Sequence, residues 1–265
     1  MPAEELSTGI HLWGQALRKN LYYLMTVALI VAGGIGSRMG ADKPKQFVEV
    51  EGRPVLVYTL QAFQDHPQVD AIELVLIKGW EDVVREWKAK YGISKLKWIV
   101  GGGDSVQESI RNGVFALEDK CGGDDVIVLH DGIRPLVETF VLDDVIAKAN
   151  QFGNGVTSMP YNEQIFLVDQ DNKTTTTKYI PRETLRRVAT PQAYKFGLID
   201  RAYHEAFEKK IGIFGSSYAN TMMVELGYRL YFAAGSDKNI KLTTPGDLAI
   251  FKGYLASQGG MAHGA

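Results

Sequence analysis

The sequence predicts an α/β protein with a mostly parallel sheet, helices on both faces and an inserted β-hairpin arm. Apolar stretches alternate with amphipathic helical patterns from residue 27 to residue 152, which is typical of a parallel sheet. Polar, glycine-rich loops follow three of the apolar stretches, and ligands bind beyond the carboxyl ends of parallel strands. The alternation breaks after Tyr161, where a threonine run favours a hairpin. The predicted strands are 27–32, 71–77, 95–100, 125–131 and 228–234, and the predicted helices are 54–63, 80–91, 105–118, 140–152 and 195–209.

The composition is that of an ordinary globular chain and excludes several classes of protein. The 265 residues are 45% hydrophobic and 23% charged, with a formal net charge of −2. A nucleic-acid binder would show a basic excess, so no nucleic-acid partner is expected and an anionic substrate has to meet locally placed cations. The single cysteine, Cys121, excludes an internal disulfide framework and a zinc site made of thiolates. We therefore expect a cytoplasmic protein.

The chain is predicted to form one domain at 25–257, with the arm inserted at about 161–183. Residues 1–24 are interpreted as an appended N-terminal segment, and 258–265 as a flexible tail of small and polar residues. A basic pair precedes the apolar run LYYLMTVALIV, which superficially resembles a signal peptide. The run is too short to span a bilayer and includes the first predicted strand, so no membrane partner is expected.

The loop after the first strand is the most informative motif, and it reads AGGIGSRMGADKPKQF. It is not a P-loop, because Ala41 and Asp42 follow its last glycine, and it is not a dinucleotide fingerprint, because Met39 replaces the third glycine. Two cations, Arg38 and Lys45, can converge on a polyphosphate that the backbone N–H groups also approach. The loop therefore predicts phosphate binding. Its glycines are Gly33, Gly34, Gly36 and Gly40.

The stretch HDGIRP follows a second buried strand and places Asp131 at the strand's end. A carboxylate there can hold Mg²⁺ against phosphate oxygens, and the alternative is an ordinary turn or N-cap aspartate. Arg134 is either a phosphate ligand or one half of a surface ion pair. His130 is interpreted as a structural neighbour and not as a catalyst.

Two further stretches have the composition of ligand-binding segments. In GGGDSVQES, three glycines let the backbone approach a flat ring, while Asp104 and Ser109 supply polar groups for the edge of that ring. The alternative is a loose loop with Asp104 as a helix N-cap. In NIKLTTPGDL, Lys241 on an apolar-flanked strand either points into a phosphate site or snorkels from an edge strand. Thr244 is the expected N-cap of the helix that follows.

These motifs, together with TPQAYKFGLI, resemble in order and spacing the cytidylyltransferases of polyol phosphates over about residues 26–256. That family includes 2-C-methyl-D-erythritol 4-phosphate cytidylyltransferase and ribitol-5-phosphate cytidylyltransferase. The resemblance implies a homodimer of Rossmann-like domains joined by swapped arms, and the conversion of CTP and a polyol phosphate to a CDP-polyol and pyrophosphate. It also implies Mg²⁺, or another divalent cation, as cofactor.

The resemblance assigns roles to individual positions of this sequence. Arg38, Lys45 and Lys241 would be the catalytic cations at the α-phosphate, and Asp131 would hold the metal. The polyol phosphate would be bound by Arg134 and Thr190 and, from the partner's arm, by Arg182 of the partner subunit. The CTP-binding residues would be Ala32, Gly33, Gly34, Gly36, Gly103, Asp104 and Ser109.

Some positions depart from the pattern of the family, and the departures concern the acceptor. Val106 stands where the family usually has an arginine, and Glu163 and Gln164 stand where it has Asp-Thr. Ala219 occupies the aspartate position of a Thr-Asp-x-Ala-Ser segment. In the family the lost threonine helps to bind methylerythritol phosphate, so its absence disfavours that acceptor. The AGG at 32–34, in place of the AAG common in the isoprenoid enzymes, favours ribitol 5-phosphate or a similar alditol phosphate, for surface-polysaccharide synthesis.

Three alternatives remain open at this point. One is the methylerythritol phosphate enzyme of isoprenoid biosynthesis, which Gln164 and Ala219 disfavour. Another is a dinucleotide-binding oxidoreductase, against which Met39 argues. The last is a catalytically silent nucleotide-binding protein of the same fold, which the presence of Arg38, Lys45 and Asp131 disfavours.

Overall fold

A computed structural model describes residues 24–34, 43–215 and 218–261. Arg38, Gly36 and most of the predicted N-terminal segment lie outside the described residues. Within the described ranges, no helix is both long enough and apolar enough to cross a membrane. The helices are α1 Val55–Asp65, α2 Glu81–Lys90, α3 Val106–Ala116, α4 Thr139–Phe152, α5 Phe196–Lys209, α6 Ala219–Glu225 and α7 Pro245–Met261, with short 3-10 helices at Lys45–Phe47 and Arg182–Thr184.

The strands form one large sheet and two hairpins. The strands are β1 Thr26–Ala32, β2 Glu49–Val50, β3 Arg53–Pro54, β4 Ala71–Leu76, β5 Leu96–Gly101, β6 Val126–Asp131, β7 Asn154–Pro160, β8 Ile165–Leu167, β9 Lys178–Ile180, β10 Arg186–Lys195 and β11 Phe232–Ala233. Among the described residues the large sheet has seven strands in the order β11-β7-β10-β6-β1-β4-β5. All neighbours in it run parallel except β10, which is antiparallel to both β6 and β7. The predicted mostly parallel sheet is confirmed.

Helices cover both faces of the sheet because each central strand is apolar on both sides. In β1, Ala28 and Ile30 face a core built with α1, α2 and α4, whereas Val27 and Leu29 face a core built with α3, α5 and α6. All four side chains are fully buried. A strand buried on both faces is a near-continuous apolar run rather than an alternating one, which is why β1 could be recognised from sequence.

The order of the strands puts a switch point beside β1. The chain proceeds from β1 through α1 to β4 on one side, and β6 then pairs with the opposite side of β1. Val31 of β1 lies in register with Asp131 of β6, so the loops that follow these two strands begin at the same level. Ligands bind in the crevice at such a point.

The arm exists as predicted, and it is a small separate hairpin. Strands β8 and β9 pair antiparallel, and the turn between them is closed by Asp169, whose side chain accepts hydrogen bonds from Thr175 Oγ1 at 2.9 Å and Thr177 Oγ1 at 3.0 Å. Phe166 and Tyr179 on the two strands are 53% and 68% exposed. Their apolar surface is not covered by the described part of this chain.

Three sequence expectations need correction. The strand predicted at 228–234 is reduced to Phe232–Ala233, and Lys241 lies in an irregular segment instead of a strand. The last helix continues through Met261, past the predicted start of the tail at residue 258. Strands β7 and β10 were not predicted at all. Pro191 obscures β10, since proline interrupts strand patterns, and a shift of register between Val188 and Gln192 together with a cis Thr190–Pro191 peptide accommodates it.

Candidate active site

Asp131 is the centre of a polar network at the carboxyl end of β6. Its Oδ2 accepts a hydrogen bond from Arg134 Nε at 2.9 Å and lies 3.2 Å from Lys241 Nζ. Thr190 binds Asp131 twice, since its Oγ1 accepts from the Asp131 N–H at 3.1 Å and donates to Oδ2 at 3.3 Å. Four residues assigned to the site from sequence are therefore in direct contact, although three separate segments supply them.

The charges of this network depend on one another. Burial alone would raise the pKa of the Asp131 carboxyl, but the cations of Lys241 and Arg134 outweigh it and lower the pKa to about 2. The carboxylate is therefore ionised at neutral pH. Burial lowers the pKa of His130 to about 4, and its neutral ring can donate from Nε2 to the Arg134 carbonyl oxygen at 3.0 Å. His130 thus supports the loop that carries Arg134, as expected of a structural neighbour.

Asn239 holds the irregular Lys241 segment against the sheet, and sequence reasoning missed it. Its Nδ2 donates to the Thr190 carbonyl oxygen at 2.7 Å, and its own carbonyl accepts from Arg134 Nη1 at 2.8 Å. The Leu242 N–H donates to the Ile133 carbonyl at 2.9 Å. Lys241 is therefore placed by backbone bonds on either side of it. The feature of the sequence that could have indicated Asn239 is its position at the start of the NIKLTTPGDL motif.

The predicted ring-binding segment packs directly against the start of the glycine loop. A Cβ on Gly33 would lie 3.1 Å from Ser109 Oγ, and one on Gly102 would lie 3.2 Å from Gly33 Cα. The Gly103 N–H donates to Ser109 Oγ at 3.0 Å, and a Cβ on Gly103 would come within 2.4 Å of Glu108 Cβ. A side chain on Gly103 would collide with α3, and side chains on Gly33 and Gly102 would crowd the neighbouring segment. The approach of these glycines to a flat ring stays a prediction.

The N-cap of α3 is Ser105 and not Asp104. Ser105 Oγ accepts from the Glu108 N–H at 3.1 Å, and Glu108 Oε2 accepts in return from the Ser105 N–H at 3.1 Å, which completes a capping box. Asp104 is exposed and makes no capping bond among the described contacts. The alternative interpretation of Asp104 as an N-cap is therefore wrong, and its carboxylate faces solvent beside Gly103.

Gln46 ties the two ends of the glycine loop together. Its buried side chain donates from Nε2 to the carbonyl oxygens of Ala32, at 2.8 Å, and Gly34, at 3.0 Å. Lys45 begins the short 3-10 helix beside it. Gln46 was not predicted as a site residue from the sequence. Its position directly after Lys45 is the feature of the sequence that could have indicated it. Arg38 and Gly36 lie outside the described residues.

Arg182 stands apart from the other predicted site residues. It begins the 3-10 helix after the arm and is 58% exposed, 3.7 Å from Glu183. Among the described contacts of this chain, none joins it to Asp131, Arg134 or Lys241. The role of Arg182 in acceptor binding, which the resemblance assigns to the arm of a partner subunit, stays a prediction.

The cavity beside Asp131 contains one carboxylate among its described lining residues. Val106, Thr190, Tyr218 and Ala219 are further parts of its wall. Oδ1 of Asp131 makes no hydrogen bond to the described residues. A single ionised carboxylate with one oxygen outside the described hydrogen bonds fits Mg²⁺, which takes one or two carboxylates and completes its coordination shell with water and phosphate oxygens. A separate group of possible metal ligands, Glu118, Asp200 and His204, lies on α5 and just after α3.

The fold and the site define a class: an α/β enzyme that handles phosphates at the switch point of a parallel sheet. Residues 26–257 match the model of the family described as "IspD: 2-C-methyl-D-erythritol 4-phosphate cytidylyltransferase". The chain belongs to this family, and the resemblance seen in the sequence is confirmed. Its members are nucleotidyltransferases, so the predicted enzyme class is confirmed as well.

The relatives of this chain are named for two different acceptors. Ribitol-5-phosphate cytidylyltransferase of Lacticaseibacillus paracasei is 55% identical over 231 residues, covering 87% of this chain and 98% of the relative. 2-C-methyl-D-erythritol 4-phosphate cytidylyltransferase of Clostridium novyi is 36% identical over 234 residues, covering 86% and 95%. The crystal structure of 4-diphosphocytidyl-2C-methyl-D-erythritol synthase from Anaerococcus prevotii DSM 20548 has the same fold, with a TM-score of 0.75 at 24% identity over 88% of this chain and 96% of that one.

Proposed function

We propose that this protein transfers the cytidylyl group of CTP to an alditol phosphate, with ribitol 5-phosphate as the favoured acceptor, and releases pyrophosphate. The observation that carries the proposal is the Asp131 network, in which an ionised carboxylate and two cations meet at the strand ends beside the glycine loops. The choice of acceptor rests on the identity of 55% to a relative named for ribitol 5-phosphate, against 36% to one named for methylerythritol phosphate.

The chemistry needs charge and position more than proton transfer. An oxygen of the acceptor phosphate attacks the α-phosphorus in line, and pyrophosphate leaves. Because the attacking phosphate is already ionised, no general base is required, and catalysis comes from orientation and electrostatic stabilisation. In this proposal Lys45, Lys241 and Arg38 stabilise the charge that develops on the α-phosphate.

The nucleotide is assigned to the paired glycine segments. The base would lie against Gly33, Gly103 and Ser109, with Asp104 at its edge and the backbone from Ala32 onward along the triphosphate. Gly33, Gly102 and Ser109 pack so closely that a Cβ on Gly33 would lie 3.1 Å from Ser109 Oγ, and one on Gly102 would lie 3.2 Å from Gly33 Cα. The two glycine segments therefore form one continuous surface with little side-chain bulk, which supports the assignment of the base to it.

Asp131 is the proposed ligand of Mg²⁺ or another divalent cation. When bound, the metal neutralises charge on the phosphate oxygens of CTP. Arg134 and Lys241 keep the carboxylate ionised, so that it is ready to accept a cation over the whole physiological pH range. Thr190, which lines the cavity beside Asp131, and Arg134 are the proposed ligands of the acceptor phosphate.

The arm is the proposed means of dimerisation. Phe166 and Tyr179 give it an exposed apolar surface, and Arg182 lies at its base with no described contact to this chain's own Asp131 network. A homodimer in which each arm reaches the neighbouring site would bring a cation to the acceptor phosphate. We also place the protein in the cytoplasm, in line with its single cysteine, Cys121.

The methylerythritol phosphate enzyme is the alternative within the family. Against it, Ala219 lies in the wall of the Asp131 cavity at the position where the family's aspartate is expected, and its methyl group offers no hydrogen bond. Gln164, at the root of the arm, replaces the expected threonine. A catalytically silent nucleotide-binding protein is the more distant alternative.

The test is pyrophosphate release with CTP, Mg²⁺ and a panel of acceptors. The panel contains ribitol 5-phosphate, methylerythritol 4-phosphate, glycerol 3-phosphate and longer alditol phosphates. We expect turnover to be highest with ribitol 5-phosphate. Highest turnover with methylerythritol 4-phosphate would overturn the choice of acceptor, and silence with every acceptor despite CTP binding would favour the silent protein.

A further inference from the structure

Gln107 is a buried side chain in the predicted base-binding segment that faces away from the site. It lies in the first turn of α3, between the exposed Asp104 and the buried Ser109, and is 2% exposed. Its Nε2 donates to the Gly212 carbonyl oxygen at 2.6 Å, and its Oε1 accepts from the buried Tyr203 hydroxyl at 2.8 Å. Both ends of the amide are thus bound by parts of the chain about a hundred residues away.

Gly212 connects Gln107 to α6, which begins beside Lys241. Its φ of +63° favours glycine, and a Cβ there would lie 2.6 Å from Met222 Cα, so this turn is pressed directly against α6. Tyr218 is the N-cap of α6, and its N–H donates to Thr221 Oγ1 at 2.8 Å. The turn and the helix start therefore form one packed unit.

Tyr218 contacts the catalytic network directly. Lys241 Nζ lies 5.5 Å from the centre of the Tyr218 ring, within range of a cation–π interaction, and 3.2 Å from Asp131 Oδ2. A chain of contacts therefore runs from the base-binding segment through Gln107, and through the Gly212 turn packed on α6, to Lys241. An amide satisfied at both ends resists displacement, since a lost bond would leave a buried group unpaired.

We infer that Gln107 is a positioning residue that couples the base-binding segment to the Tyr218–Lys241 side of the site, an inference that rests on the proposed function. Because Gln107 already ties residues 101–109 to the Gly212 turn, any restriction that CTP imposes on this segment is passed to the turn and to the surroundings of Lys241. The base then influences the place where the phosphate reacts. Gln107 itself touches neither the substrate nor the reacting atoms.

The decisive variant is Gln107→Leu, which keeps the volume and removes both hydrogen bonds. We expect kcat to fall at least about tenfold, because small displacements of charged groups cost rate, while the Kd for CTP changes less than about threefold. Tyr203→Phe removes only the bond to Oε1 and should keep most of the activity. Gln107→Glu keeps an acceptor for Tyr203 but has no donor for Gly212, so it should behave like Gln107→Leu.

A matched control separates positioning from simple stability. Asn154 is another buried amide held at both ends, since its Nδ2 donates to the Arg229 carbonyl at 3.0 Å and its Oδ1 accepts from the Tyr231 N–H at 3.0 Å. It starts β7, at the opposite edge of the sheet from the strand ends that carry Asp131. Asn154→Leu should lower Tm while leaving kcat unchanged. If Gln107→Leu does the same, Gln107 is merely structural and the inference is wrong.

Hydrogen–deuterium exchange tests the coupling without any acceptor. In the wild type, CTP should slow amide exchange both in residues 101–109 and in α6. In Gln107→Leu, CTP should slow exchange in residues 101–109 but not in α6. Protection of the first segment alone in the wild type would overturn the inference. A wild type that turns over no acceptor but shows the coupled protection would overturn the proposed function and leave the coupling standing. A failure to bind CTP would overturn both.

Discussion

The Asp131 site and the arm differ in where their polar and apolar groups find partners. Asp131 is 20% exposed, and its contacts come from residues as distant in the chain as Thr190 and Lys241. In the arm, Asp169 binds threonines at most eight positions away, while Phe166 and Tyr179 remain exposed. The side chains that contact Asp131 come from distant parts of its own chain, whereas the described hydrogen bonds of Asp169 in the arm are made to residues of the arm itself.

This contrast indicates which interactions each region still lacks. A network whose charges are paired and buried is held rigid by its own contacts. A two-stranded hairpin is marginally stable alone and gains stability by packing against something else. In the proposed homodimer a partner surface would cover the arm, whereas the contacts of the Asp131 network are already made within this chain. The predictions below test that difference.

The largest effect is expected at the centre of the rigid region. Asp131→Asn should lower turnover by about 10³-fold, because it removes the charge proposed to bind the metal and leaves Arg134 and Lys241 without their counter-ion. Pyrophosphate release measures the loss. Asp169→Asn is the matched change in the arm, and it should leave turnover within about twofold. Equal losses in both variants would contradict the distinction between the two regions.

Lys45→Ala should reduce kcat by about 10²-fold and change the Kd for CTP by less than about fivefold, since its charge matters most in the transition state. Steady-state kinetics and calorimetry give the two values. The control is Lys43→Ala, an exposed lysine two positions earlier in the same segment. A proportionate loss of CTP affinity would mean that Lys45 only binds the ground state.

Introducing charges on the apolar surface of the arm tests whether that surface mediates dimerisation. Phe166→Asp combined with Tyr179→Asp should convert dimers to monomers and reduce turnover at least about tenfold, because a charge opposite an apolar surface is costly to bury. Light scattering after size-exclusion chromatography gives the mass. Ile250→Asp introduces the same charge at a side chain that is 61% exposed on α7, and it should change neither quantity. A monomeric wild type would refute the role of the arm outright.

Arg182→Ala should raise the KM for the acceptor about tenfold while CTP binding stays intact, because only the acceptor phosphate loses a partner. Lys173→Ala, at the tip of the arm, is the control. If arms serve neighbouring subunits, mixing Arg182→Ala with Lys45→Ala protein should restore about a quarter of wild-type activity when the acceptor concentration is kept well below KM, since half of the dimers are mixed and each has one intact site. No recovery after verified subunit exchange would place Arg182 outside the partner's site.

The smallest effect concerns a buried acid in the rigid sheet. Glu73 in β4 is fully buried, neither carboxylate oxygen has a hydrogen-bond partner among the described residues, and burial raises its pKa to about 8. The folded protein therefore keeps a proton that the unfolded chain loses from about pH 4.5, so the free energy of unfolding should fall as pH rises from about 4.5 to about 8.

Thermal denaturation across that pH range, compared with Glu73→Gln, measures the Glu73 contribution. The Gln variant should lose less stability than the wild type between pH 5 and pH 8, with a difference of a few degrees in Tm. Burial lowers the pKa of His66, so that residue contributes with the opposite sign in both proteins and cancels in the comparison. Parallel curves for the two proteins would show that Glu73 is already ionised when folded.

The sequence by itself determined the central strands, their helices and the motifs at the strand ends. Those features are local: an apolar run, a glycine-rich loop or a helix start such as Thr244, whose Oγ1 accepts from the Asp247 N–H at 3.2 Å. Parallel strands then bring their carboxyl ends to one edge, so the proximity of Gly33, Gly103 and Asp131 follows from the fold class.

Only the tertiary structure decided which side chains complete the site. Asn239 and Thr190 are 49 residues apart, and Gln107 and Gly212 are 105 apart, so no local pattern encodes either contact. Strand β10 escaped prediction because Pro191 breaks its pattern, and the strand forms only because two antiparallel neighbours pair with it. Local propensity selects elements, whereas the packing of distant segments selects the partners of each buried polar group.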